Sequence, residues 1–201
     1  MTQTIPIILE ANETKRRIFA AAAKLFSENG YNGVSMREIS EQTGISKPMI
    51  YYYFGNKEGI FRSLIEVVLQ YNSEQLKNIM AKSIPIKEKI LQIVKMRFYQ
   101  ATEYPELAKI FMNIYLTHEN LPFIQNYINQ ANDHREILVD LIHKGVKSGE
   151  FGPSANPELG AEIFVAALIH FVQKQLNSNK KILTNKLAEE IIDLLILGLN
   201  E

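Results

Sequence analysis

The run SMREISEQTGISKPMIYYYFGNK at residues 35–57 leaves the chain few ways to fold. Ser35 followed three places later by Glu38 is a capping box, so the spacing predicts a helix from Met36. Gly44 ends that helix and supplies the positive φ of a sharp turn. Ser46 caps a second helix, and Pro48 falls in its first turn, where a missing N–H costs nothing. Two short helices around a glycine turn make a helix-turn-helix, an arrangement that lays its second helix in the DNA major groove.

Around this run the apolar periodicity is helical throughout. Ile18, Ala22, Leu25 and Phe26 recur at helical spacing over residues 12–29, and Gly30 reads as the C-cap. The motif helices follow at 36–43 and 47–53. Asn56 caps a fourth helix ending near residue 82, with Ile60, Leu64, Val67, Val68, Tyr71 and Ile79 as its stripe. Beyond it each break is a proline, a glycine or a polar turn. Helices are predicted from Pro85 to before Pro105, from Pro105 to residue 117, from Pro122 to 148, from Pro157 to 176, and over 183–199. The fold class is therefore all-α, with about nine helices. Residues 1–11 carry no period and are predicted to be a loose arm. Residues 12–60 form the helix-turn-helix domain and 61–201 a helical bundle. The fourth helix is long enough to serve both, so the division falls along it rather than in a linker.

Composition adds mainly exclusions. Lys plus Arg equals Asp plus Glu at 22 each, so no global basic excess marks a chain that coats nucleic acid. Residues 1–60 hold seven Lys or Arg (15, 16, 17, 24, 37, 47, 57) against six Asp or Glu (10, 13, 28, 38, 41, 58), so only the placement of charge supports DNA binding. With no cysteine there is neither disulfide nor thiolate metal site, as suits a reducing cytoplasm. The apolar patch at 5–9 has no basic residue before it and is not a signal peptide. No apolar run is expected to reach the roughly 20 residues that cross a bilayer, so no membrane partner is predicted.

The motif resembles the DNA-binding signature of TetR-family transcriptional regulators. The matching pieces are Gly30-Tyr31, Ser35-Met36-Arg37-Glu38-Ile39, Gly44-Ile45-Ser46-Lys47, Ile50-Tyr51-Tyr52-Tyr53-Phe54 and Asn56-Lys57-Glu58. The rest of the chain is similar in length and helical layout only. Helix order puts Lys47, Pro48 and Met49 at the leading turn of the reading helix. A lysine there donates to guanine O6 and N7, and the other two offer apolar contact to a thymine methyl. Two assignments are open to Tyr51, the groove or the core. Ile50 and Phe54 face the core, while Tyr52 and Tyr53 hold hydroxyls toward phosphate oxygens. The family often has a histidine where Tyr53 stands. The resemblance implies that Lys57 binds phosphate and that Arg37 reaches base or backbone. The cap residues Ser35 and Ser46 complete the DNA-contact set. Lys15, Arg16 and Arg17 read as a solvated basic face, or by the resemblance as residues near the DNA backbone. Gly59 departs from the family pattern.

The last two helices are too apolar for a lone subunit. Along 187–199, LAEEIIDLLILGL, apolar residues occupy nearly every face beyond Glu190, and 159–176 is similar. A helix apolar all round is covered on both sides. Either a deeper monomeric core or a second copy supplies the cover. The second copy gives a two-fold four-helix interface containing Gly160, Phe164, Ala167, Phe171, Ile191, Leu194 and Leu195. The resemblance agrees, since relatives pair through their last two helices, and a two-fold protein implies a double-stranded operator that is roughly palindromic.

Helices five to eight carry an aromatic stripe that serves either as core or as pocket. The resemblance implies a small apolar or aromatic effector held by residues such as Phe98, Tyr99, Phe111, Met112, Tyr115, His118, Phe123, Tyr127 and His170. It further implies a repressor released from its operator by that effector. A regulator whose C-terminal domain only dimerises is the alternative. An enzyme has little to rest on: there is no Gly-rich loop after a strand and no G-x-S-x-G turn. His118-Glu119 lacks the second histidine of H-E-x-x-H, and four scattered histidines make no metal site. Neither cofactor nor metal is expected.

Overall fold

A computed structural model of the chain describes residues 12–117 and 121–200, and the predicted arm at 1–11 lies outside them. Among the described residues there are nine α-helices and no strand. They are α1 (Glu13–Asn29), α2 (Met36–Thr43), α3 (Lys47–Phe54), α4 (Lys57–Met80), α5 (Ile86–Glu103), α6 (Pro105–Thr117), α7 (Gln125–Ser148), α8 (Pro157–Leu176) and α9 (Asn185–Asn200). A single 3-10 turn, Pro122–Ile124, occupies what the proline pattern reads as the first turn of α7.

The helix ends follow local rules. Asn12 caps α1 by accepting from the Lys15 N–H, and Asn56 does the same for α4 through the Gly59 N–H at 2.7 Å. Pro157 opens α8 behind an Asn156 cap. The first N–H groups of α5 are satisfied from a distance: Glu150 accepts from the Ile86 and Lys87 amides at 2.8 and 2.9 Å.

The chain divides into two compact units. The first holds the chain as far as Ser73 together with Glu103–Gln125; the second holds Glu74–Thr102 and Asn126 onward. This division is not the one drawn at residue 60. Helix α4 contributes to the first unit well beyond that point, and α6 packs against α1 within it. The cause is the apolar row Leu107, Ile110 and Ile114 on α6, all buried at i, i+3 and i+7. Ile18, Ala22, Phe26, Ile39, Ile50, Ile60 and Leu64 close the core of the first unit. Val94, Leu141, Phe164, Ala188 and Ile192 close that of the second.

Helix α8 overturns one expectation. Its 20 residues reach a mean hydropathy of 1.2 in their most apolar window, enough by length and composition to cross a bilayer, yet only 17% of that window is buried within the chain. Its faces also sort differently from the pairing surface drawn on sequence. Gly160 lies against Ile142 and Leu199, and Phe164 and Ile191 are buried inside their own unit. Ala167, Phe171 and Leu195 are half-buried. The uncovered apolar side consists of Leu159 and Ile163 on α8 with Leu194 and Leu197 on α9; Leu194 is 70% exposed.

Candidate DNA-reading interface

The helix-turn-helix is built outward from its caps. Ser35 Oγ meets the Glu38 N–H at 3.2 Å while Glu38 Oε2 accepts from the Ser35 N–H at 2.7 Å, closing the capping box that opens α2. The bonds from Ser35, through its hydroxyl first and its backbone second, hold the Glu38 carboxyl below the usual carboxylate range. Gly44 ends α2 at φ +65, in the left-handed region where a Cβ is strained. Ser46 sits at the N-cap of α3 but makes no side-chain cap bond; its carbonyl accepts from the Met49 and Ile50 amides.

Long-range groups brace the turn. Thr43, buried, bonds the Ile39 carbonyl and receives the Ile45 N–H. Arg17 on α1 donates Nη2 to the Thr43 carbonyl at 2.6 Å, a role that its position in a basic run did not disclose. Ile50 is fully buried beneath α3, and Phe54 meets the Phe19 ring edge-on at 5.2 Å, so both face inward as expected.

What α3 presents outward is Lys47, Pro48, Met49, Tyr51 and Tyr52, all exposed. Tyr51 is 47% exposed, which sets its ring at the surface rather than in the core, and Tyr52 is 81% exposed. Tyr53 is engaged within the unit: its hydroxyl accepts from Asn12 Nδ2 at 3.3 Å, with Lys15 Nζ 5.6 Å from its ring centre. Arg37 is exposed on α2 and pairs with Glu41 at 2.7 Å, an interaction that holds its guanidinium above the ordinary arginine range.

Lys57 is engaged within the first unit. Its Nζ donates to the carbonyls of Tyr31 and Val34 at 2.9 and 2.8 Å and lies 4.3 Å from the Tyr31 ring centre. The ammonium therefore ties together the loop that leads into the α2 cap. Gly59 also acquires a reason, because a Cβ there would overlap the Phe54 carbonyl oxygen. The close approach of α4 to the end of α3 admits no side chain.

The residues assigned to an effector pocket fall into both units. Phe98, Tyr99 and His170 belong to the second, with Phe98 buried and His170 exposed beside the Phe171 ring. Phe111, Met112, Tyr115 and Phe123 belong to the first. The Phe123 ring rests on Tyr31 and Phe61 at 5.0 and 5.9 Å. His118 and the side chain of Tyr127 lie outside the described residues. The second unit holds a polar group beside these aromatics: Arg97 Nη2 lies 3.1 Å from His134 Nδ1, and its Nη1 donates to Gln100. Burial, and then the Arg97 charge, push the His134 pKa down to about 4, so the ring is neutral near neutral pH.

Known proteins place this architecture. Residues 18–64 match the model of bacterial regulatory proteins of the tetR family, and residues 60–198 match a YsiA-like C-terminal region. The chain is 24% identical to the fatty acid metabolism regulator protein of Bacillus subtilis over 92% of its own length and 94% of the relative. It is 28% identical to the transcriptional repressor NicS of Pseudomonas putida, covering 92% of this chain and 85% of the relative. Among solved structures, the regulator FadR of Bacillus subtilis in complex with stearoyl-CoA superposes with a TM-score of 0.74 at 25% identity, over 90% of this chain and 97% of that one. The chain thus belongs to the TetR family: it is a helix-turn-helix, DNA-binding transcriptional regulator and not an enzyme.

Proposed function

We propose that the protein is a homodimeric repressor that occupies a roughly palindromic operator and leaves it when a long-chain acyl-coenzyme A, or a molecule of similar amphipathic chemistry, binds its C-terminal part. The observation that carries this reading is the likeness to the stearoyl-CoA complex, at 25% identity and nearly full length, joined to the YsiA-like match over 60–198. The half-buried Arg97–Gln100–His134 group in the second unit suits such a ligand, since sites of this kind are apolar with a few placed polar groups.

Operator reading is assigned to residues 12–60, with Lys47, Pro48, Met49 and Tyr51 at base edges and Tyr52, Arg37, Tyr53, Ser35 and Ser46 near the backbone. Exposure on the outer side of α3 supports the first four. Lys57 is assigned to the loop and only secondarily to phosphate. Dimerisation and effector binding are assigned to the region beyond residue 60. Leu159, Ile163, Leu194 and Leu197 support pairing, because an apolar side this exposed on two adjacent helices is covered in a stable protein. The same cover explains the composition of α8 without a membrane, and the site of action is the cytoplasm.

The test is operator release. An operator recovered by selection from random duplexes is titrated with protein, and stearoyl-CoA, free coenzyme A and stearate are then added separately. Release by stearoyl-CoA at concentrations where the other two do nothing is expected. If stearoyl-CoA binds and stabilises the protein yet leaves operator affinity unchanged, the C-terminal part does not relay this ligand to DNA.

A further inference from the structure

Phe123 lies far from the helix-turn-helix in sequence, yet its ring is part of that unit. It meets Tyr31 at 5.0 Å and Phe61 at 5.9 Å, and the Arg62 guanidinium lies 5.2 Å from its centre. Tyr31 is itself stacked on Phe26 at 6.0 Å and edged by Phe61 at 5.1 Å, so one aromatic cluster joins α1, α4 and the 3-10 turn. The Tyr31 carbonyl receives Lys57 Nζ and, more weakly, the Val34 N–H at 3.4 Å. Lys57 also holds the Val34 carbonyl. The next residue is Ser35, whose capping box starts α2. The contacts therefore run without a gap from Phe123 through Tyr31, Lys57 and Val34 to the helix that carries the turn and α3.

Two further facts bear on what this cluster does. Phe123 is two residues from Gln125, where α7 begins and the chain passes from the first compact unit to the second. Aromatic contacts of this geometry are also short-ranged, so a small displacement of the turn forfeits most of their energy.

We propose that Phe123 is a positioning residue for operator recognition: seated against Tyr31 and Phe61, it sets the loop at 31–34 and hence the angle at which α2 and α3 are presented to DNA. Because α7 follows it directly, movement of α7 withdraws the ring and misaligns the reading helix. This second half rests on the effector reading given above; the first half does not.

The chain contains no tryptophan, so Phe123→Trp places a lone indole reporter in the cluster. Its emission is expected to be blue-shifted in the free and operator-bound protein and to move to the red when stearoyl-CoA releases the operator. Phe123→Ala is expected to bind operator about tenfold more weakly, the factor that an aromatic contact of this kind carries, while keeping its affinity for non-operator duplex. Phe123→Leu, which refills most of the volume, is expected to restore much of the difference. Equal losses on operator and non-operator DNA, or wild-type operator affinity in Phe123→Ala, would overturn the positioning role. If stearoyl-CoA releases the operator while the indole emission stays unchanged, the withdrawal step is refuted. If stearoyl-CoA never releases wild-type protein, the effector reading fails alone, and the positioning role is still decided by the alanine and leucine variants.

Discussion

Replacing Lys57 by methionine separates a phosphate contact from a structural tie. The substitution keeps the aliphatic stem and removes the ammonium, and with it two bonds to the Tyr31 and Val34 carbonyls and the approach to the Tyr31 ring. A hydrogen bond from a charged donor contributes about 1.5–3 kcal/mol and a cation–π contact about 0.5–1 kcal/mol at exposed sites. Taking the low end of each gives about 3.5 kcal/mol for the three interactions. Lys57 is only part-buried, so water re-solvates both carbonyls in the variant and the net loss falls to roughly 2 kcal/mol. For a chain of this size each kcal/mol moves the midpoint by about 2–4 °C, so a fall of roughly 4–8 °C in thermal unfolding is expected. DNA binding should drop mainly on the operator, through disorder of the α2 cap, with the salt dependence almost unchanged. A variant that melts like wild type, loses affinity for every duplex alike and flattens the salt slope by about one unit would show that Lys57 serves as a phosphate ligand instead.

Lys47→Ala should lower the ratio of operator to non-operator affinity about tenfold or more, as expected for a residue at a base edge, with far-ultraviolet circular dichroism unchanged. Equal losses on both duplexes in a titration series would move Lys47 to the backbone. Leu194→Glu, on the uncovered side of α9, should convert the dimer to monomer in light scattering and abolish operator binding while leaving the helical content intact. His134 is held neutral in the folded state, burial lowering its pKa to about 4 from the ordinary 6.5 of a histidine. The unfolded chain therefore binds a proton that the folded one refuses between those values, and stability falls as pH drops from 6.5 toward 4. His134→Gln should flatten that part of the urea-midpoint profile against pH, and an unaltered profile would place the acid sensitivity elsewhere.

The caps, the glycine turn and the order of helices were legible because each is decided within about four residues. Ser35 finds Glu38 and Asn56 finds Gly59 with no help from the rest of the chain. Gly59 stood out as a departure without a cause, and the cause is a backbone oxygen of the preceding helix, which no local pattern describes.

What tertiary structure alone decided is which group each side chain serves. Lys57 is 26 residues from the Tyr31 carbonyl that it ties, and Phe123 reaches Tyr31 across 92 positions, so neither pairing leaves a period to read. An all-round apolar helix such as α8 likewise has no moment that distinguishes its faces, and only packing against Ile142 and Leu199 chose Gly160 for the inside and left Leu159 and Ile163 out. The sequence by itself determined that this is a helical protein with a DNA-reading motif, since hydrogen bonds between near neighbours build helices. Which of its apolar and basic residues hold that motif in place, and which remain at the surface, depends on contacts between distant segments, and these exist only once the chain has closed on itself.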